Sequence, residues 1–569
     1  MFRKGLYSSA KVACIALLLS SCGSDGSGPA PTPTPTPTPT PVASEQDALT
    51  TATPIKHLVV IFGENQSFDH YFGTYPSATN PAGEPGFTAV SGTPQVNGYL
   101  RNSTLLTNNP NTTNASNLAT GISPSLMNPF RLDRAQYDTT SQNHNYTPEQ
   151  LATDNGRMDA FVANTGRGTS GGAGAFGTAA QVMGYFDGNT VTALWSYAQN
   201  FAMNDNAFTD SFGPSTPGAL NVVAGTTNGA SNASGTGTVA DGQGSFSVIG
   251  DPDPKGDTCT TGTNPVMMAG KNIGDLLNAA GITWGGFMGG FDLTTTNANA
   301  TTACKRSTVS PNTSRTVVDY SPHHAWFQYY ASTQNPQHTR PSSVAMIGHT
   351  ETTLDATGST TPVHHQYDYN DFVAAVKAGN YPSVNYIKAP AYQDGHPGNS
   401  NPLDEQAFVA QTINFLQQQP DWKNTAVLVL YDDSDGWYDH QSPNIQFGSF
   451  DATADQVTAP GKCTGPSALQ ALGLTGAPVN GRCGPGSRIP FLLISPYAKV
   501  NYVDSTPITQ SSVVRFIEDN WLKGQRLGGG SNDSVAGTIM NMFDFTAAPH
   551  TTPLYLDPVL GTKVANPPA

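Results

Sequence analysis

The chain has 569 residues, of which 37% are hydrophobic and only 12% charged, and its formal net charge is −15. That is enough apolar material for a large core. The acidic balance, which deepens if Arg3, Lys4 and Lys11 leave with a leader, argues against nucleic acid or an anionic membrane surface as partner, though not against an anionic substrate met by local cations. Few charges and abundant Gly, Pro, Asn and Thr fit an exported, loop-rich protein.

Residues 1–22 have a basic start, an apolar run from Val12 to Leu19 too short to span a bilayer, and then Ser20-Ser21-Cys22, the layout of a signal peptide. Leu19-Ser20-Ser21-Cys22 resembles the lipobox of bacterial lipoproteins. This implies cleavage before Cys22, a lipid on its thiol as membrane anchor and, with Gly23 next, the outer membrane or periplasm as location. Residues 23–52 contain a Thr-Pro repeat from Pro29 to Pro41. Proline removes backbone donors there, so the stretch should be a polyproline II spacer of roughly 40 Å, with folding expected to begin near Thr53. Besides Cys14 and Cys22, four cysteines remain, Cys259, Cys304, Cys463 and Cys483, and they read as two disulfides in an exported chain. Three pairings are open, the sequence-local one (Cys259–Cys304, Cys463–Cys483) being the default, and no cysteine spacing resembles a zinc site.

Leu58 to Phe62 reads as a strand buried on both faces, stopped by Gly63 and followed at once by Glu64-Asn65. Residues 74–130 are polar and Asn/Thr-rich, an elaborate loop or small β insertion, and Pro148 to Phe161 is helix-like. After an amphipathic helix around Leu194, Trp195, Ala198 and Phe201, Ser215-Thr216-Pro217-Gly218 reads as a helix start with Pro217 first, Thr216 as cap and Ser215 just outside. Free N–H groups there would seat a phosphate. A second insertion is expected at about 226–345. Asn272 to Ala280 reads as a helix, Ile282 to Met288 as a strand and Val344 to Ile347 as a short strand. A helix from Asp371 to Lys377 and a strand from Val384 to Lys388 follow, then a helix from Leu403 to Gln418. Strands Ala426–Leu430 and Phe491–Ile494 and a helix Ser512–Trp521 complete the pattern. Alternating strands and helices predict an α/β fold with a central, mostly parallel sheet flanked by helices, plus a smaller β-rich lobe from the insertions.

Two buried strands thus end in acids, Glu64 with Asn65 and Asp432 with Asp433. Adjacent acids need a cation, because like charges at close range raise one pKa sharply, and oxygen ligands suit a divalent ion. With the Ser215 hydroxyl at a helix start and His144, His323, His324 and His396 on separate loops, the parts fit metal-assisted phosphoryl transfer.

Four stretches, Glu64–Gly73, Gly213–Gly218, Asp394–Gly398 and Asp432–His440, resemble in order the bacterial acid phosphatase/phospholipase C phosphoesterase family, whose fold is similar to alkaline phosphatase; the likeness covers about residues 55–525. The resemblance implies one divalent metal, of unnamed identity, on Glu64, Asn65, Ser215, Asp432 and Asp433, with Ser215 as nucleophile. It also implies that His396 and His144, with the His323-His324 pair, are active-site histidines; His396 is read as general acid and the others as phosphate ligands. Ser215-Thr216-Pro217-Gly218-Ala219 and Asp432-Asp433-Ser434-Asp435-Gly436 resemble the acid phosphatase branch. The phospholipase C branch typically has Thr-Asp-Pro-Asn-Arg and Asp-Glu-x-Gly-Gly at these places, and no terminal lipid-binding domain is expected after Trp521. The substrate is therefore expected to be a small phosphate monoester, with a phospholipid headgroup as alternative. A non-catalytic surface-binding lipoprotein is the reading from another class. A sulfatase is disfavoured because Ala219 stands where its motif needs arginine.

Overall fold

The computed structural model of the protein describes residues 45–231, 237–351 and 363–568. The leader, Cys22 and the Thr-Pro repeat lie outside them. The described residues include a helical turn at Glu45–Ala48, ahead of the expected Thr53, where Gln46 is buried and its side-chain carbonyl accepts the Ser383 hydroxyl at 2.9 Å.

One sheet of eight strands organises the chain: β1 (His57–Gly63), β2 (Ala202–Asn204), β3 (Trp284–Met288), β4 (Gln366–Asp368), β5 (Val384–Lys388), β6 (Thr425–Tyr431), β7 (Phe491–Ile494) and β8 (Tyr502–Asp504). Their order across the sheet is β4-β3-β5-β1-β6-β7-β2-β8. Every pairing is parallel except the two made by β7, which runs against its neighbours β6 and β2. All seven residues of β1 and of β6 are buried, so both faces of the sheet centre are covered, as their unbroken apolar runs require.

The helices of eight residues or more are α1 (Tyr146–Thr153), α2 (Thr192–Asn200), α3 (Ser215–Ala224), α4 (Ile273–Ala280), α5 (Tyr369–Lys377), α6 (Pro402–Gln417) and α7 (Ser511–Trp521). The α3 helix packs against α4 and α7, while α6 packs against α2 and meets α5 through Tyr369 and Phe408, whose rings lie 4.9 Å apart. None of the helices among the described residues is long and apolar enough to cross a membrane.

Both sequence-local disulfides are present, Cys259–Cys304 and Cys463–Cys483. Three local readings need correction. The helix-like stretch after Pro148 is two pieces, α1 and a turn at Phe161–Asn164, because Asp154 and Asn155 take the left-handed conformation between them. Val344–Met346 is a helical turn, not a strand: the short apolar run finds no partner edge. Residues 74–130 form single helical turns rather than strands before Phe130–Arg131. Their asparagines cap backbone groups, with Asn109, Asn111 and Asn117 buried and bonded to one another's neighbourhood. Two of the five smaller sheets among the described residues come from the second insertion, a three-stranded one at Asn228–Ala230, Thr238–Ala240 and Phe246–Val248 and a hairpin at Ser307–Val309 and Thr316–Val318; the other three are two-stranded pairs elsewhere in the chain.

Candidate active site

The site lies beyond the carboxyl ends of β1, β5 and β6, where a parallel sheet leaves room for ligands. Glu64 follows β1, and Asp432 and Asp433 follow β6; all three are buried. The loop ends are tied to each other through the main chain. The Glu64 N–H donates to Asp394 O (2.9 Å), the Asn65 N–H to Asp432 Oδ1 (2.9 Å) and the Gln66 N–H to Asp433 O (3.0 Å). Asn65 turns the chain with a φ of 64°, a conformation asparagine tolerates better than most residues.

The hydroxyl expected just outside a helix is its first residue instead. Pro214 is the cap, so Ser215 opens α3 and Pro217 sits two residues further in, still among positions whose N–H has no partner in the helix. Ser215 Oγ lies 3.0 Å from Glu64 Oε2 and 3.4 Å from Asp433 Oδ2. The helix can come this close only because residue 218 is glycine: a Cβ there would stand 2.2 Å from Asp432 O.

The histidines divide. His324, 4% exposed, enters the cluster with Nδ1 3.2 Å from Glu64 Oε1, and burial together with His323, His396 and His144 around it pushes its pKa well down. His323 is half-buried and turns toward Ser321 Oγ (3.3 Å) and Asp253 (3.8 Å). His144 sits with Nδ1 3.0 Å from Asp435 Oδ1 and its ring 5.9 Å from that of His396. Burial opposes its charge, but Asp433 and Asp435 outweigh that and hold its pKa well above the ordinary value. His396 keeps Nδ1 on Pro397 O at 2.7 Å, and burial lowers its pKa.

The acids are crowded beyond what the protein itself neutralises. Burial and Asp432 drive the Asp433 pKa well up, and burial brings Asp394 to about 7. Asn65 Oδ1, Asp432 Oδ2 and Asp394 Oδ2 are buried acceptors with no hydrogen-bond partner, a costly condition that a cation would relieve. An all-oxygen donor set of Glu64, Asn65, Asp432, Asp433 and the Ser215 hydroxyl suits a hard or borderline divalent ion, so the residues present fit a metal.

Sequence reasoning missed Lys388. It ends β5, is 1% exposed, and its ammonium pairs with Glu64 Oε1 inside the cluster. Its signal was akin to the one that exposed Glu64 and Asp432: a charge set directly on the end of a fully buried strand. Asp394 and Asp435 lay inside the quoted motifs without a role. Asp435 organises the site by accepting from Asn65 Nδ2 (2.9 Å), Ser141 Oγ (2.8 Å) and the Gln142 N–H (2.9 Å).

The motifs also feed a second buried cluster. Asp69, Asp439 and His440 surround Arg488, which is fully buried and stacks over Phe68 at 4.3 Å.

Comparison with known proteins agrees with this chemistry. The chain matches the model of the Phosphoesterase family over residues 55–522. It is 30% identical to the non-hemolytic phospholipase C of Pseudomonas aeruginosa over 182 residues, 31% of this chain and 25% of that protein. It is 32% identical to the non-hemolytic phospholipase C of Burkholderia pseudomallei over 145 residues, 25% of this chain and 19% of that protein. With phospholipase C A of Mycobacterium tuberculosis it shares 28% over 192 residues, 34% of this chain and 35% of that protein. The chain thus aligns with about a third or less of the length of these relatives.

Proposed function

The chain belongs to the phosphoesterase family, and from that premise we propose that it is a metal-dependent hydrolase of phosphate monoesters working through a phosphoserine on Ser215. One observation carries the reading: a buried hydroxyl at a helix start, within 3.4 Å of two carboxylates, beside buried oxygens without partners. Glu64, Asn65, Asp432, Asp433 and Ser215 would hold one divalent ion, which when bound supplies positive charge that favours the deprotonated serine and the developing charge on phosphoryl oxygens.

The chain's own groups do the rest. Ser215 Oγ attacks phosphorus in line, and the leaving alcohol departs from the opposite side. At the start of α3 the Thr216 N–H already donates to Asp251 Oδ1 (2.9 Å) and Pro217 has none, so the Ser215 N–H is left to donate to a phosphoryl oxygen. His144, paired through Nδ1 with Asp435 at 3.0 Å, donates to another. His396 gives a proton to the leaving oxygen, then takes one from the water that hydrolyses the phosphoserine, its Nδ1 fixed on Pro397 O so that Nε2 does the transfer. His324 is held against Glu64, and His323 stands at the rim to meet the substrate.

The Ser-Thr-Pro-Gly-Ala and Asp-Asp-Ser-Asp-Gly sequences favour the acid phosphatase branch. The named phospholipases among the relatives support a second reading, cleavage of a phospholipid headgroup at the same site. We also propose export with a lipid anchor on Cys22, on the strength of the leader alone. The test compares wild type with Ser215→Ala on a chromogenic phosphate monoester and on phosphatidylcholine between pH 5 and 8, with metal content measured. The monoester is the expected better substrate, under acid, and the variant should lose about 10³-fold or more in kcat/KM while staying folded. Preference for the lipid would move the assignment to phospholipase C, and full activity in Ser215→Ala would remove the nucleophile.

A further inference from the structure

Four groups of histidine, cysteine and carboxylate side chains among the described residues are close enough to share an ion. Three are accounted for. In the first, Glu64 pairs with the Lys388 ammonium and with His324 at the active site; in the second, Asp69 and Asp439 hold the Arg488 guanidinium and Asp69 also pairs with His440; in the group of Asp257, Cys259 and His338 the sulfur is committed to a disulfide and His338 Nε2 to Asp257 at 3.1 Å. The fourth, Asp47, His57 and Asp421, contains no cation of the protein's own. It lies at the other end of the sheet, where β1 begins.

Its three members come from three segments: Asp47 from the turn Glu45–Ala48, His57 from the first residue of β1, and Asp421 from the turn Pro420–Asn424 that leads into β6. One donor atom from each lies within 4.8 Å of the others. His57 is 0% exposed and stacks on Tyr381 with ring centres 4.0 Å apart. Its Nδ1 is 3.1 Å from Pro382 O, an acceptor only, so the proton is on Nδ1 and Nε2 presents a lone pair. That Nε2 is buried without a partner, and so is Asp47 Oδ1. Burial takes the His57 pKa down to about 4, so the ring does not supply the missing charge itself. Nor does Lys56, whose Nζ is engaged by Leu49 O and by Thr51 Oγ1 at 2.8 Å. Burial and the neighbouring Asp47 raise the Asp421 pKa although Lys423 pulls the other way, so that nearby ammonium, which forms no ion pair with the cluster, does not offset the repulsion of the two acids. A lone pair and two carboxylates facing one another with no donor between them repel. A histidine whose other nitrogen donates to a backbone carbonyl is the usual arrangement around a metal.

We propose that Asp47, His57 and Asp421 form a second, structural cation site for a borderline divalent ion of the Zn2+ type, water completing its coordination. One imidazole and two carboxylates match that class better than Mg2+ or Ca2+. The ion would staple the first turn of the folded domain to β1 and to the lead-in of β6. This site is separate from the chemistry proposed above and stands or falls independently of it.

The test uses the full chain, stripped with a chelator and re-equilibrated with Zn2+. Asp47→Asn and Asp421→Asn change half-buried positions that tolerate an amide, and neither touches the active site. The double variant should retain one Zn2+ fewer per chain than wild type. It should also lose a Zn2+-dependent rise in melting temperature of roughly 2–4 °C, with monoesterase activity unchanged. Anomalous diffraction at the zinc edge should place an ion about 2.0–2.1 Å from His57 Nε2. Equal zinc content in wild type and the double variant, or no anomalous density beside His57, would overturn the proposal. His57→Phe, which keeps the stacked ring, binding zinc as wild type does would overturn it as well.

Discussion

Two buried acid clusters sit within a few residues of each other in the same loops, yet they are built on opposite principles. Around Arg488 every charged side chain has a partner, although burial still raises the Asp439 carboxyl. Its Nε lies 3.0 Å from Asp439 Oδ2, its Nη2 3.0 Å from Asp69 Oδ1, and its Nη1 donates to Asn97 O (2.7 Å) and Asp205 O (2.9 Å). None of the three charged side chains has a buried atom without a partner. Around Glu64 and Asp433 the acids outnumber the cations, carboxyl pKa values are driven up, and three acceptors are left bare. Loops beginning at Glu64 and at Asp432 each deliver their first acid to the frustrated cluster and a later one, Asp69 or Asp439, to the satisfied cluster. A buried polar group that is fully bonded holds a fold together, whereas one left wanting is a place where something binds.

Substitution in each cluster should separate these roles. Asp433→Asn is expected to have the largest effect: a loss of about 10³-fold in kcat/KM together with the bound metal, while the metal-free protein melts higher than wild type because a repulsion has gone. A metal-free variant that melts lower would show that the cluster is not frustrated. Arg488→Met should do the reverse. Leaving Asp69 and Asp439 buried without their partner costs about 3–5 kcal/mol in denaturant unfolding, with kcat nearly unchanged in the molecules that remain folded. Lys388→Met tests the border between the two. Removing the one ammonium among the acids should lower the melting temperature without metal and tighten divalent-ion binding about tenfold, read by isothermal titration.

An effect confined to one pH window concerns Glu405, buried and accepting from the Tyr71 hydroxyl at 2.8 Å and from that of Tyr431. Burial raises its pKa from 4.5 to about 7. A carboxyl raised in the folded state favours folding while protonated, so its contribution is full below about pH 4.5 and is lost as the pH climbs toward 7. Glu405→Gln should therefore flatten the fall in stability across that window, an effect on the order of 2 kcal/mol by thermal melts at stepped pH.

Most of the sheet is legible because its strands are rich in apolar and β-forming residues: Phe491 to Ile494 is an unbroken apolar run, and Val384 to Lys388, though interrupted by Asn385, is also read with its observed ends. The direction of β7 was not, since strand polarity leaves no mark on a four-residue run of Phe, Leu, Leu and Ile. The carboxylates at strand ends announced themselves by sitting where apolar sequence stops. Lys388 met the same criterion but was absorbed into its strand. His323 and His324 are adjacent in sequence and could not be told apart by it. Only the path of the second insertion sends one ring to Glu64 and the other to Asp253. The span 74–130 was opaque because asparagine side chains, rather than an apolar pattern, decide its turns.

The contact between Gly218 and Asp432 O fixes, main chain against main chain, how near the Ser215 hydroxyl comes to the Glu64 and Asp433 carboxylates. Side chains elsewhere on α3 and β6 can then diverge through evolution without changing that approach. Enlarging residue 218 by a single methyl group would shift the helix and every ligand distance with it. The chemistry rests on a gauge block made of backbone, adjustable at its rim and not at its base.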